Sequence, residues 1–86
     1  MSNLLELEIV SPHGVLFVGS CHMAVVPSVS GDLGVMLGHE AFTATLHEGK
    51  IAIYDEKQNI IKEVEITSAG GFAQIDSGTK LLVLVN

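Results

Sequence analysis

Leu4-Leu5-Glu6-Leu7-Glu8-Ile9-Val10-Ser11, then Pro12-His13-Gly14, then Val15-Leu16-Phe17-Val18: this opening stretch decides the fold. In its first part apolar side chains alternate with Glu6 and Glu8, a period of two. Successive side chains of an extended chain point to opposite faces, so Leu5, Leu7 and Ile9 line one face of a strand while the glutamates meet water. Pro12-His13-Gly14 turns the chain, because proline presets φ and glycine tolerates conformations closed to other residues. The apolar run after the turn is the returning strand.

The same grammar continues to the end of the chain. A strand is predicted over Cys21 to Val26, separated from Val15 to Val18 by Gly19-Ser20, with Pro27 ending the pairing for want of an N–H. Ser28 to Gly34 is the most loop-like stretch, and its glycines predict a tightly bent connection crossing between sheets. Further short strands are expected at Leu33 to Leu37, Phe42 to Leu46, Lys50 to Tyr54, Asn59 to Ile66, Phe72 to Ile75 and Lys80 to Val85. No segment has the apolar spacing of a helix. The reading is all-β, one domain over residues 1–86, a two-layer antiparallel β-sandwich or flattened barrel.

The chain has 86 residues, 48% of them hydrophobic, and one cysteine, so no internal disulfide can staple it. Ten acids stand against four lysines and no arginine, for a net charge of -6. Phosphate-neutralising groups are therefore nearly absent, and nucleic acid is not an expected partner. No stretch reaches the ~20 apolar residues of a membrane-spanning helix, nor does the N-terminus read as a signal peptide. Val15 to Val18, Met23 to Val26 and Leu81 to Val85 are apolar on both faces. Single exposed apolar side chains are ordinary on protein surfaces. The alternative reading of such runs is a docking surface for another protein.

Chemistry-bearing residues are sparse. His13, His22, His39 and His47 fall on different turns and strands, with no ligand-pair spacing, and Cys21 has no second cysteine for a zinc motif. Cys21 and His22 are neighbours in an extended chain and so face opposite ways, unsuited as nucleophile and base. Glycines 31, 34 and 38 lack the Lys-Ser/Thr ending of a phosphate loop. The expectation is no catalytic residue, no metal and no cofactor, with a small ligand- or metal-binding β-barrel using the histidines kept as the alternative.

Gly31-Asp32-Leu33-Gly34-Val35, followed by Gly38-His39, resembles the signature loop of the epsilon subunit of bacterial F-type ATP synthases. Leu7 to Pro12, Val15 to Gly19, Met23 to Pro27, Gly49 to Ile53, Gly70 to Ile75 and Leu81 to Val85 are similar to the strands of that family in type and order. The resemblance implies an N-terminal β-sandwich of about ten strands at the foot of the central stalk, touching the gamma subunit and the c-ring. It implies a non-catalytic rotor part that helps couple proton or sodium flow to ATP synthesis. The corresponding location is the cytoplasmic face of the bacterial inner membrane, with membrane association only through the complex. By position, Asp32 matches the family's acid facing the c-ring, and Ser11 and His39 match positions near gamma and the c-ring junction.

Two residues depart from the signature: Leu37 stands where the family has proline, and Glu40 where it has alanine. The chain ends at Asn86, where most members continue into a two-helix hairpin that carries inhibition of ATP hydrolysis. The resemblance therefore carries coupling over to this chain, and the hairpin's inhibition is not carried over with it.

Overall fold

Alternation becomes burial in the first strand: Leu5, Leu7 and Ile9 are each at most 1% exposed, while Glu6 is open to solvent. The computed structural model describes residues 4–86; residues 1–3 of the expected domain lie outside the described residues. It contains β1 (Leu5–Ser11), β2 (Gly14–Cys21), β3 (Met23–Ser28), β4 (Gly31–Met36), β5 (Phe42–Leu46), β6 (Gly49–Tyr54), β7 (Ile60–Ile66), β8 (Gly71–Ile75) and β9 (Lys80–Val85). There is no helix among the described residues.

Pairing runs continuously in the order β2-β1-β9-β8-β5-β3-β6-β7, with β4 attached to β3. One layer is β2-β1-β9-β8-β5 and the other β4-β3-β6-β7. Side chains from both meet in a single core whose large members are all aliphatic, among them Leu7, Ile9, Ile51, Ile53, Ile66, Ile75 and Leu81. Phe17 and Phe42 pack on its margin. The layers join at one backbone pair, Ser28 with Leu46. Both β5 and β6 run antiparallel to β3, and the three steps from Val25 to Ser28 are matched by six from Ala52 to Leu46. The surplus residues around His47 and Glu48 form the bend that carries the chain from one layer to the other.

The all-β, two-layer reading holds, with nine strands where about ten were expected, and four details differ. β1 and β9 are parallel, so the sandwich is antiparallel in every pairing but this one. Gly19-Ser20 is not a break but lies inside β2. Pro27 does not end pairing: it lies within β3 opposite Asp32. The N–H and C=O of one strand residue point to the same side, and the Pro27 carbonyl accepts from His47 N on the other side, so pairing with Asp32 needs no N–H from Pro27. Lastly, the glycine-rich stretch does not cross between layers. Val29-Ser30 is a two-residue turn, with Gly31 at φ 124, and β4 returns directly along β3.

β8 shows where glycine is required. A Cβ on Gly71 would lie 2.5 Å from the Leu84 carbonyl oxygen, and one on Gly70 would lie 2.6 Å from the Leu46 carbonyl oxygen. Close backbone approach at the end of this layer forbids any side chain there.

Candidate docking surfaces

Register determines which outward side chains become neighbours. On the outer face of the first layer Val10 pairs with Val15 of β2 on one side and with Leu84 of β9 on the other, and Leu84 pairs with Phe72 of β8. Four apolar side chains thus form a row across four strands. Val15 is 59% exposed, Leu84 45% and Phe72 38%, while Val10 is half-buried between its neighbours. The next row is Val18, Glu8, Leu82 and Gln74, and the third begins Ser20, Glu6, Lys80. Polarity therefore increases along the strands from the Pro12-His13 end toward Lys80. Lys80 Nζ lies 2.9 Å from Glu8 Oε1, and that bond holds the lysine pKa above its ordinary value.

Leu16 adds to this surface through an irregularity. Between Ile9 and Val10 the register with β2 shifts by one residue, because Phe17 faces Ile9 while Val15 faces Val10. Leu16 is the extra residue of this bulge and is 42% exposed. The outer face of the second layer carries a row of its own, Met36, Met23, Tyr54 and Ile60 across β4, β3, β6 and β7, beside a shallow cavity of 460 Å³.

The three sequence-predicted site residues divide between two places. Asp32 and His39 line one groove of 390 Å³, together with Val29, Leu33, Phe42 and Thr45. Asp32 is exposed on β4, beside the turn. His39 is held by its surroundings. Its Nδ1 donates to the Glu40 carbonyl at 2.9 Å, its ring meets Phe42 edge-on at 5.0 Å, and the preceding Gly38 N–H donates to the Gly78 carbonyl at 2.7 Å. Ser11 is not part of this groove. It ends β1, where its Oγ accepts from His13 N and donates to the Gly14 carbonyl, both at 3.2 Å, at the apolar end of the first-layer face. No side-chain identity signalled Val10 or Phe72 as surface residues; their grouping with Leu84 depends on the β1–β9 and β8–β9 pairings.

Among the described residues no nucleophile, base and orienting group come together. Cys21 is 2% exposed within the core, and burial pushes its thiol up, away from the reactive thiolate. Among the described residues no three His, Cys, Asp or Glu side chains gather as a metal site, and no helix is long and apolar enough to cross a membrane. The histidines sit on separate connections, as their spacing suggests.

Residues 4–86 match the family model described as the ATP synthase, Delta/Epsilon chain, beta-sandwich domain. The chain belongs to this family. Relatives of the delta/epsilon family include the ATP synthase epsilon chain of Rhodospirillum centenum, 37% identical over 84 residues, covering 98% of this chain and 56% of that one. The ATP synthase epsilon chain of Caulobacter vibrioides is 34% identical over 71 residues, covering 83% and 78%. The chain spans little more than half the length of several such relatives, including 54% of that from Parvibaculum lavamentivorans. Among solved structures, a chain of the Euglena gracilis mitochondrial ATP synthase superposes with a TM-score of 0.79 at 18% identity, covering 99% of this chain and 52% of its own. A chain of the Tetrahymena thermophila central stalk and c-ring gives 0.74 at 15% identity, covering 94% and 62%. At these identities the structural likeness shows the fold alone.

Proposed function

We propose that this chain serves as the β-sandwich part of a non-catalytic central-stalk subunit of an F-type ATP synthase, linking the gamma subunit to the c-ring. The observation that carries the reading is the apolar row Val15, Val10, Leu84 and Phe72. It crosses four strands on a face that neither layer of this chain covers. Burying such a row against another protein stabilises the complex by roughly 25 cal/mol per Å² of apolar surface removed from water, before the costs of association. Family membership and the names of the relatives support the same assignment.

In this role the apolar end of the first layer, with Ser11 beside it, faces gamma, and the groove bearing Asp32 and His39 faces the c-ring. The chain makes no ATP; it keeps gamma and the ring turning together, so that torque reaches catalytic subunits elsewhere. Its place is the cytoplasmic side of a bacterial inner membrane, held there through the complex.

The test is reconstitution of the purified chain with its cognate gamma subunit and c-ring. Binding to gamma and recovery of gamma-to-ring coupling are expected; absence of both overturns the assignment. Asp32→Arg is expected to weaken ring attachment while shifting folding stability by about 0.5 kcal/mol or less, because Asp32 is exposed. Parallel loss of folding and attachment would show that Asp32 serves the fold instead.

A further inference from the structure

The outermost strand of the first layer, β2, pairs only with β1 among the described residues, so its other edge presents unpaired backbone N–H and C=O groups. Such edges template pairing with another chain, and proteins blunt them with charges, prolines or bulges. β7, the corresponding strand of the second layer, carries Lys62, Glu63 and Glu65. β4, also at an edge, carries Asp32 and two glycines. β2 reads Gly-Val-Leu-Phe-Val-Gly-Ser-Cys, with neither a charge nor a proline. Its one blunting device is the bulge at Leu16, and beyond it five residues, Phe17 to Cys21, stay in unbroken register with Ile9 to Leu5. That is about 17 Å of regular, uncharged edge at ~3.4 Å per residue. It is contiguous with the apolar outer face through Val18, which is 66% exposed.

We propose that a partner polypeptide adds an extended strand to the free edge of β2 between Phe17 and Cys21, and that this strand carries a lysine or arginine directed at Glu6. The proposal rests on the reading above that a partner protein covers the first-layer face, and names how it is held. The charge of the partner follows from the neighbouring rows. A cleft of 240 Å³ opens beside β2, with Glu6, Glu8, Val18, Ser20 and Lys80 in its wall. Lys80 is bonded to Glu8 and lies directly across from exposed Glu6, so the two carboxylates share one cation and leave a local excess of one negative charge. Ser20 pairs with Glu6 and is short, so a long cationic side chain entering opposite Ser20 passes over it to the carboxylate. Glu6 lies two strands from the incoming one, about 10 Å at ~4.8 Å per strand. Backbone pairing supplies the hold and alternate side chains the selectivity, as in other strand-addition complexes. A second copy of this chain is disfavoured as the occupant, because two-fold pairing through β2 would bring two acidic rows together in a chain of net charge -6.

The experiment is amide hydrogen exchange, resolved by residue, on the whole chain alone and in complex with its purified cognate gamma subunit. Expected is at least a tenfold slowing of the alternate β2 amides between Phe17 and Cys21 that face away from β1, with no change at the β7 edge. In a companion measurement, Glu6→Lys is expected to weaken the complex at least tenfold at low salt, with a smaller effect at high salt. A complex that forms with those amides unprotected overturns strand addition and leaves side-chain docking on the apolar face. Unchanged affinity of Glu6→Lys overturns the assigned cation. Protection that grows with concentration in the chain alone makes a second copy the occupant and overturns the proposal. Failure of gamma to bind at all overturns this proposal and the functional reading together.

Discussion

The two end hairpins of the folded sheet, β1–β2 and β6–β7, are built alike and present themselves differently. Each is antiparallel, each has a register shift, at Ile9/Val10 in the first and Ile53/Tyr54 in the second, and each buries alternate aliphatic residues in the shared core. Both have turns closed by a side chain, Ser11 in one and Asp55 in the other. They part on the outward side. β2 exposes Val15, Leu16 and Val18, whereas β7 sets Lys62, Glu63 and Glu65 beside exposed Ile60 and Ile61 and pairs Glu65 with Lys50 of β6. Burial sets the inward residues because any two-layer fold needs them. The outward side is not constrained by folding, and there the two edges differ: β7 carries three charged residues and β2 none.

The largest effect should show the hairpins as equals. Ile9 and Ile53 are both 0% exposed, and Ile9→Ala and Ile53→Ala should each destabilise by about 2–5 kcal/mol, read from the urea midpoint at unchanged slope. A cost under ~1 kcal/mol for only one would break the equivalence of the two interiors. The next effect should separate them. Val18→Lys is expected to weaken gamma binding at least about tenfold while changing stability by about 0.5 kcal/mol or less, whereas Glu63→Val leaves gamma binding unchanged. Equal effects on binding would erase the proposed division between a docking edge and a solvated one.

The smallest effects concern the turns. Asp55 Oδ1 accepts from the N–H of Asn59 and of Lys57, both at 2.9 Å, with Gln58 between them at φ 66. The Asn59 N–H contributes most to holding the Asp55 carboxyl below the ordinary value of 3.8. A depressed folded pKa means that the stabilisation is fully present above the ordinary aspartate value and is lost as pH falls through the lower folded value. Asp55→Ala should therefore lower Tm at neutral pH, and the gap from the parent chain should close in acid. Ser11→Ala should cost about 0.5 kcal/mol with no such pH dependence, since a hydroxyl does not titrate in that range. If Ser11→Ala also weakens gamma binding, its role extends beyond closing the turn.

Period-two alternation made the inward residues of β1 legible, because a strand must turn every second side chain to the same face. It also marked Leu81 to Val85 as apolar on both sides. It misread Gly19-Ser20 and Pro27, since local turn chemistry speaks for a break where neighbouring strands supply the pairing that overrides it. Asp32 and His39 were chosen by resemblance, and the structure brings them to one groove through the β3–β4 turn and the Gly38–Gly78 backbone bond. Ser11 was chosen on the same ground and lies elsewhere, at the β1–β2 turn.

By itself the sequence determined an acidic, all-β domain with its aliphatic residues turned inward, because composition and periodicity act within a few residues of each position. Only the tertiary structure decided which outward residues become neighbours. Val10 meets Leu84, and Leu84 meets Phe72, because β9 inserts parallel to β1 and antiparallel to β8. That pairing joins the two ends of the chain. Its stability comes from backbone hydrogen bonds and shared burial, which leave no local sequence pattern, and it is this pairing that assembles scattered apolar residues into a surface.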